Sequence, residues 1–471
     1  MSETIQFPRC FVKKQQKRHI SITVVTKESY RTLSSSLDDP QKALCRDRGF
    51  DGSAKQIVVF SDDKGASRIL LGIGQSPSLD HGAKICRYIL SHFAQSALKD
   101  VTFAFDEQDM PEDYLAKLSI GWGLATIRTE RHHKDHYPQL VLSKSLDQSH
   151  ILGQVEGAYI ARSLVNKPAN ELGPDELATI AGVIASSTGG KMDTIRDKAL
   201  LKENFPMIYA VGNSSHRRPA LIDLRWEKKN APKVTLVGKG VVFDTGGLDL
   251  KPPKFMRHMK KDMGGAAQTL GLAWALMKSK TPISLRVLIP AVENAVSSDA
   301  FRPGDVINTR EGITVEVSDT DAEGRLVLSD ALTYACEENP EMLIDFATLT
   351  GAARVGLGSR IGALFGHDDE TVNALQNISF DVEDPLWRLP LWEGYDDELS
   401  SEFADTDNIG SGRAGAIHGG LFLKKFVEDD SNWLHLDVYA WEDSGRDLCD
   451  KGGLDTGMRA VYTLLKDRYA K

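Results

Sequence analysis

Three segments gather the residues best suited to chemistry. The first is Val237-Gly-Lys-Gly-Val-Val-Phe-Asp-Thr-Gly-Gly247, continuing through Leu248 to Lys251; the second is Met259-Lys-Lys-Asp-Met-Gly-Gly-Ala-Ala267; the third is Ser318-Asp-Thr-Asp-Ala-Glu-Gly-Arg-Leu-Val-Leu328. They supply the carboxylates Asp244, Asp262, Asp321 and Glu323, with the cations Lys239, Lys251 and Arg325 among them. A lone acid is ordinarily a helix cap or a solvated charge. Four acids brought together carry about −4 and would repel one another or take up protons unless compensated. Two divalent cations offset that charge, and bridging carboxylates hold such ions about 3.5–4 Å apart, a spacing suited to activating water.

Local patterning says how the chain would present these groups. Asp321, Glu323 and Arg325 alternate, so an extended backbone would point all three to one side. Leu328, Leu332 and Ala335 then follow at helical spacing, which predicts a strand-to-helix transition. Asp262 precedes a helix with Ala266, Leu270, Ala273 and Met277 on one side, where a simpler role is an N-cap worth about 1 kcal/mol. Asp244 is followed by Thr245-Gly-Gly247, a turn in which backbone can approach a ligand closely.

Further out, β-rich runs at Ile20–Val25, Gln56–Phe60, Ile69–Gly72 and Val101–Phe105 alternate with helical patterns at Ala83–Ala97 and Pro111–Thr126. A polar stretch at Ser143–His150 ends this part, and a helix from about Ile151 to Val165 follows, stopped by Asn166-Lys-Pro-Ala-Asn170. Beyond it, strands at Val234–Val237, Leu285–Ile289 and Leu343–Ala347 alternate with a helix at Met263–Met277. The expected fold is α/β in two domains, each a mixed or mostly parallel sheet flanked by helices. The division is 1–150 as an N-terminal domain, 151–170 as connecting helix and turn, and 171–471 as the larger, catalytic domain. The acidic and glycine-rich motifs fall at strand ends, where open α/β sheets place their ligand sites.

At 471 residues the chain can bury a large core without staples, so a metal site here is chemical rather than structural. With 57 basic and 66 acidic residues the net charge is −9, which argues against a general nucleic-acid or membrane role. The basic residues Lys13, Lys14, Lys17 and Arg18 read as a solvated segment. The cysteines Cys10, Cys45, Cys86, Cys336 and Cys449 form no C-x-x-C pair and suit buried thiols in a reducing compartment. No stretch is apolar enough to cross a bilayer and the N-terminus has no apolar leader, so the expected location is cytoplasmic. His132, His133 and His136 have ligand-like spacing but no acid or cysteine pattern beside them, and His258 reads as packing or surface. H-E-x-x-H and G-x-S-x-G motifs are absent.

The run Asp319-Thr-Asp-Ala-Glu-Gly-Arg-Leu326 resembles the N-T-D-A-E-G-R-L signature of the leucine aminopeptidase family of two-metal peptidases. Gly238-Lys-Gly240 with Phe243-Asp-Thr-Gly-Gly247, and Asp262-Met-Gly-Gly-Ala-Ala267, match its other two motifs in order and spacing. Arg302-Pro-Gly-Asp305, Ala347-Thr-Leu-Thr-Gly-Ala352 and Ala404-Asp-Thr-Asp-Asn408 add support. The resemblance is dense from about residue 151 and loose before it. It implies an aminopeptidase acting on peptides with a free N-terminus. Asp244 and Glu323 would bridge two divalent ions, zinc or manganese; Asp321 would complete one site, and Asp262 with Lys239 the other. Lys251 would polarise the scissile carbonyl and Arg325 would hold a bicarbonate ion as proton carrier. Met259, Thr348, Gly351 and Tyr439 would line the substrate pocket, and the subunits would form a homohexamer. Asp319 replaces the usual Asn, Thr245 the usual Ser, and Tyr439 a small alanine, which leaves the preferred side chain open. Two other readings are a two-metal phosphoesterase, with Lys239 and Lys251 meeting phosphate, and a nucleic-acid role for the first domain.

Overall fold

Apolar residues at every second position of Arg18–Thr26 turn Ile20 and Ile22 to one side, and both are fully buried. The structure, a computed structural model, describes residues 5–470 apart from 17, 64, 108–109 and 129–135, so His132 and His133 lie outside the described residues. The chain divides into two units: Gln6–Val155 with Ser444–Lys451, and Glu156–Asp443 with Gly452–Lys471. Sequence pattern puts 444–451 in the second unit, whereas their contacts group them with the first. Arg87 is one cause, donating to the Asp447 carbonyl (3.0 Å) and to Asp450 (2.9 Å).

In the first unit a six-stranded sheet runs in the order Phe11–Val12, Gln139–Val141, Val101–Phe105, Arg18–Thr26, Gly65–Gly74, Ile57–Asp62. All neighbours are parallel except the last pair, and Ile22 stands opposite Ile69 and Phe105. The helix Glu112–Thr126 arises where the sequence predicts it, whereas the one expected over Ala83–Ala97 starts earlier, at Leu79, and ends at His92, because Phe93 and Ala94 are extended before a short helix Gln95–Leu98. Two more, Lys27–Ser36 and Asp39–Asp47, are mostly polar and lay only Tyr30, Leu33, Leu44 and the buried Cys45 against the core.

The main sheet of the second unit has nine strands among the described residues. Its centre is four parallel neighbours, Trp433–Asp437, Met342–Ala347, Lys233–Gly238 and Ser284–Asn294, with Gly240–Asp244 joining the far end of the last. Antiparallel neighbours flank them: Gly362–Gly366 on one side, with Leu386–Arg388 parallel to it at the edge, and Ala220–Trp226 and Lys191–Arg196 on the other. Each central strand reads as a near-continuous apolar run because both faces are covered. Gly264–Lys278 is buried along nearly its whole length. Its start fits only because Gly265 has no side chain, since a Cβ there would lie 2.0 Å from the Phe346 carbonyl oxygen. The glycines after Asp262 therefore set how closely the acid's helix approaches the sheet. No helix among the described residues is long and apolar enough to cross a membrane.

Candidate active site

The proposed ligands meet at the C-terminal ends of the central parallel strands. Lys239 follows Lys233–Gly238, Asp244 ends Gly240–Asp244, and Thr348 follows Met342–Ala347. Asp244, Asp262 and Glu323 are buried and each offers an oxygen within 4.8 Å of the others, an arrangement able to hold a metal ion. Lys239 Nζ stands 2.7 Å from Asp262 Oδ2 and 2.9 Å from Glu323 Oε1, and donates to the Thr348 carbonyl at 2.9 Å. Lys251 Nζ stands 2.7 Å from Asp244 Oδ2 and also pairs with Asp321.

Two local expectations change. Asp321 is not extended: it lies in a turn closed by the Ala322 N–H on the Asp319 carbonyl (3.2 Å), and Glu323 and Arg325 belong to the first turn of the helix Glu323–Cys336. The three side chains converge through that turn, because the backbone changes direction between Asp321 and Glu323. Nor does Asp262 cap a helix. It sits in a 3-10 turn, Met259–Met263, and its Oδ1 accepts instead from the Thr348 hydroxyl at 2.9 Å. Asp244 Oδ1 accepts from the Gly246 N–H (2.8 Å) and the Asn294 amide (2.9 Å), which aims the acid. Gly246 and Gly247 have φ of 88° and 68°, so the turn after Asp244 needs glycine.

The charges are strongly coupled. Burial, and then the Asp244 carboxylate, push Glu323 well above the usual carboxylate range and raise Asp321 to about 7. Burial works against the charge on Lys239, but Asp262, Glu323 and Asp244 outweigh it and hold its pKa above normal. Lys251 is raised by the same balance. Asp262 goes the other way: burial disfavours its charge, and Lys239, Lys261 and Lys251 overcome that. Glu323 Oε2 is buried with no hydrogen-bond donor. An excess of oxygen ligands over donors is the environment in which hard divalent cations bind.

Arg325 is buried, donates Nη1 to the Asn408 carbonyl at 2.6 Å and leaves Nε without a hydrogen-bond acceptor. Burial lowers its pKa to about 10. Of the pocket candidates, Thr348 touches Asp262 directly. Gly351 is exposed at the start of a short helix, with open space where a Cβ would be, and Met259 begins the turn that carries Asp262. Tyr439 is half-buried beneath Lys261 Nζ (4.7 Å) and the Arg354 guanidinium (4.4 Å). His258 packs on Trp441, with ring centroids 5.1 Å apart. Sequence pattern does not single out Asn294, Thr320 or Asn408 as site residues, although Asn408 closes the Ala404-Asp-Thr-Asp-Asn408 motif. Their roles depend on partners at distant chain positions, which spacing does not reveal.

Comparison with known proteins identifies the family. Residues 159–463 match the cytosol aminopeptidase family, catalytic domain. A probable cytosol aminopeptidase of Chlamydia caviae is 43% identical over 453 residues, covering 90% of each chain. The crystal structure of the cytosol aminopeptidase of Coxiella burnetii superposes with a TM-score of 0.89 at 39% identity, covering 98% of this chain and 99% of that one. A bottromycin maturation enzyme in complex with Mn does so with a TM-score of 0.85 at 28% identity, covering 96% and 99%. The domain match and the near full-length identity place the chain in the cytosol aminopeptidase family, and it is a peptide hydrolase.

Proposed function

We propose that this enzyme removes N-terminal residues from peptides with a free amine, using two divalent ions held by Lys239, Asp244, Asp262, Asp321 and Glu323. The observation that carries the reading is the buried triad Asp244, Asp262 and Glu323, with ligand oxygens within 4.8 Å and a Glu323 oxygen that has no donor. Bound there, the ions would supply Lewis acidity, a water of lowered pKa and an anchor for the substrate amine. The manganese-bound relative supports the chemistry, and the same ligand set suits zinc.

The chain's own residues supply the rest. Lys251 is held charged by its carboxylate neighbours, so its ammonium can stabilise charge developing on the scissile carbonyl oxygen. Arg325, cationic and with one buried N–H free, is suited to hold a small anion such as bicarbonate that carries the proton. No histidine occupies the three motifs, which leaves that task to such an anion. Tyr439, with Gly351 and Met259, would bound the side-chain pocket, and assembly as a homohexamer belongs to the same proposal. Metal analysis of the purified protein with a panel of aminoacyl amides tests it. About two ions per subunit and release of free amino acids are expected; a metal-free protein with full activity would overturn it.

A further inference from the structure

The segment that carries Lys251 has little apolar anchorage. Leu248 and Leu250, which lead into Lys251, are 42% and 58% exposed. Among the described residues, the hydrogen bonds that tie 246–250 to another part of the chain all end on Thr320. The Thr320 hydroxyl donates to the Gly246 carbonyl (2.6 Å) and accepts from the Asp249 N–H (2.9 Å). In return the Thr320 N–H donates to Asp249 Oδ2 at 2.8 Å. Thr320 is fully buried, directly precedes Asp321, and its carbonyl accepts from the same Asn294 amide that holds Asp244.

We propose that Asp249 is a positioning residue that, by bonding Thr320, holds Lys251 between Asp244 and Asp321. This rests on the peptidase reading above. Asp249 touches no proposed ligand and is itself exposed, so its side chain is not needed for packing. Its carboxylate gives the buried Thr320 N–H an acceptor, and the reciprocal bond from Asp249 N–H closes a two-way latch between the lysine loop and the signature turn. Without the carboxylate that N–H loses its protein partner, and the tie between the lysine loop and the signature turn is weakened. A displacement of about 1 Å in a catalytic group can cost roughly a hundredfold in rate.

The test compares Asp249→Ala, Asp249→Asn and Lys251→Ala singly, and Asp249→Ala combined with Lys251→Ala, in the metal-loaded enzyme with an aminoacyl amide. Asp249→Ala should lower kcat by about ten- to a hundredfold, with KM changed by less than about threefold and metal content and Tm unchanged. Asp249→Asn keeps the accepting oxygen and should recover most of the rate. In the Lys251→Ala background, Asp249→Ala should cause no further fall, because it acts through the lysine. The proposal is overturned by a normal kcat in Asp249→Ala, by a fall that tracks lost metal or lowered Tm, by Asp249→Asn as impaired as Asp249→Ala, or by additive losses in the double variant. An inactive but fully metal-loaded wild-type enzyme would instead defeat the peptidase reading itself.

Discussion

Thr348 and Asp262, 86 positions apart, are joined twice: the Thr348 hydroxyl donates to the Asp262 carbonyl at 2.8 Å and to its carboxylate at 2.9 Å. The Thr348 carbonyl in turn accepts from Lys239 at 2.9 Å. One residue at the end of a central strand thus sets two of the proposed ligands. A buried acid held this way keeps one orientation, which is what a metal site requires.

Glu323 sits at the centre of the carboxylates, and its replacement separates metal holding from folding. Glu323→Gln preserves shape but removes the charge that would bridge two ions. Metal content and turnover should both fall to background while the chain stays folded, because a neutral amide of the same shape replaces a carboxyl group whose charge burial already disfavours. Metal analysis, an amidase assay and a thermal melt check this; a fully active Glu323→Gln enzyme would contradict the assignment.

Lys251 is proposed to act on the carbonyl oxygen and not on the metals. Lys251→Ala should keep its ions and lose about 2.7–4 kcal/mol of barrier stabilisation, by analogy with oxyanion donors. That is a fall in kcat of roughly a hundred- to a thousandfold. Steady-state kinetics beside metal analysis decides it, and normal turnover in a metal-replete variant would remove Lys251 from the mechanism.

Arg325 should matter less, since water or free bicarbonate can partly replace a held proton carrier. Arg325→Ala should retain metal and respond differently from wild type to added bicarbonate, whereas Lys251→Ala should keep the wild-type response. Titrating bicarbonate into all three enzymes tests the difference.

The free amine of the substrate is proposed as a metal ligand, and acetylation removes its lone pair from coordination. Peptides with a blocked N-terminus should therefore resist cleavage while their free counterparts are turned over. Comparable rates for the two, measured by product release, would point to endopeptidase chemistry.

Asp330 gives a pH dependence of stability away from the proposed ligands. It is fully buried and accepts the N–H groups of Met207 (2.8 Å), Ile208 (3.3 Å) and Arg310 (2.9 Å). Burial nevertheless raises it from 3.8 to about 7. The folded state thus binds a proton that the unfolded state has released, so its stabilisation is full below about pH 4 and lost as pH rises through 7. The slope from this group should approach about 1.4 kcal/mol per pH unit in that window. Asp330→Asn, which does not titrate, should lack this part of the slope. Urea unfolding of both proteins across that range makes the comparison.

Local pattern carried much of the outcome. Alternating and continuous apolar runs foretold the strands Arg18–Thr26, Lys233–Gly238 and Met342–Ala347, and turn glycines marked where Asp244 and Asp262 would meet the sheet. Those features are legible because burial of a strand or helix face acts on residues a few positions apart. The motifs also single out Asp244, Asp262, Asp321 and Glu323 as candidates, and the structure brings them together around Lys239 and Lys251. Tertiary structure decided how the acids are held. Asp262 was open to being a helix cap until Thr348 took its carboxylate; Asp321 was expected to be extended until a turn folded it beside Lys251. Arg325 is placed by a carbonyl 83 positions away, and 444–451 returns to the first unit through Arg87. Such bonds join segments that are remote along the chain, and hydrophobic periodicity carries no record of them, because a hydrogen bond depends on where two strand ends arrive in space.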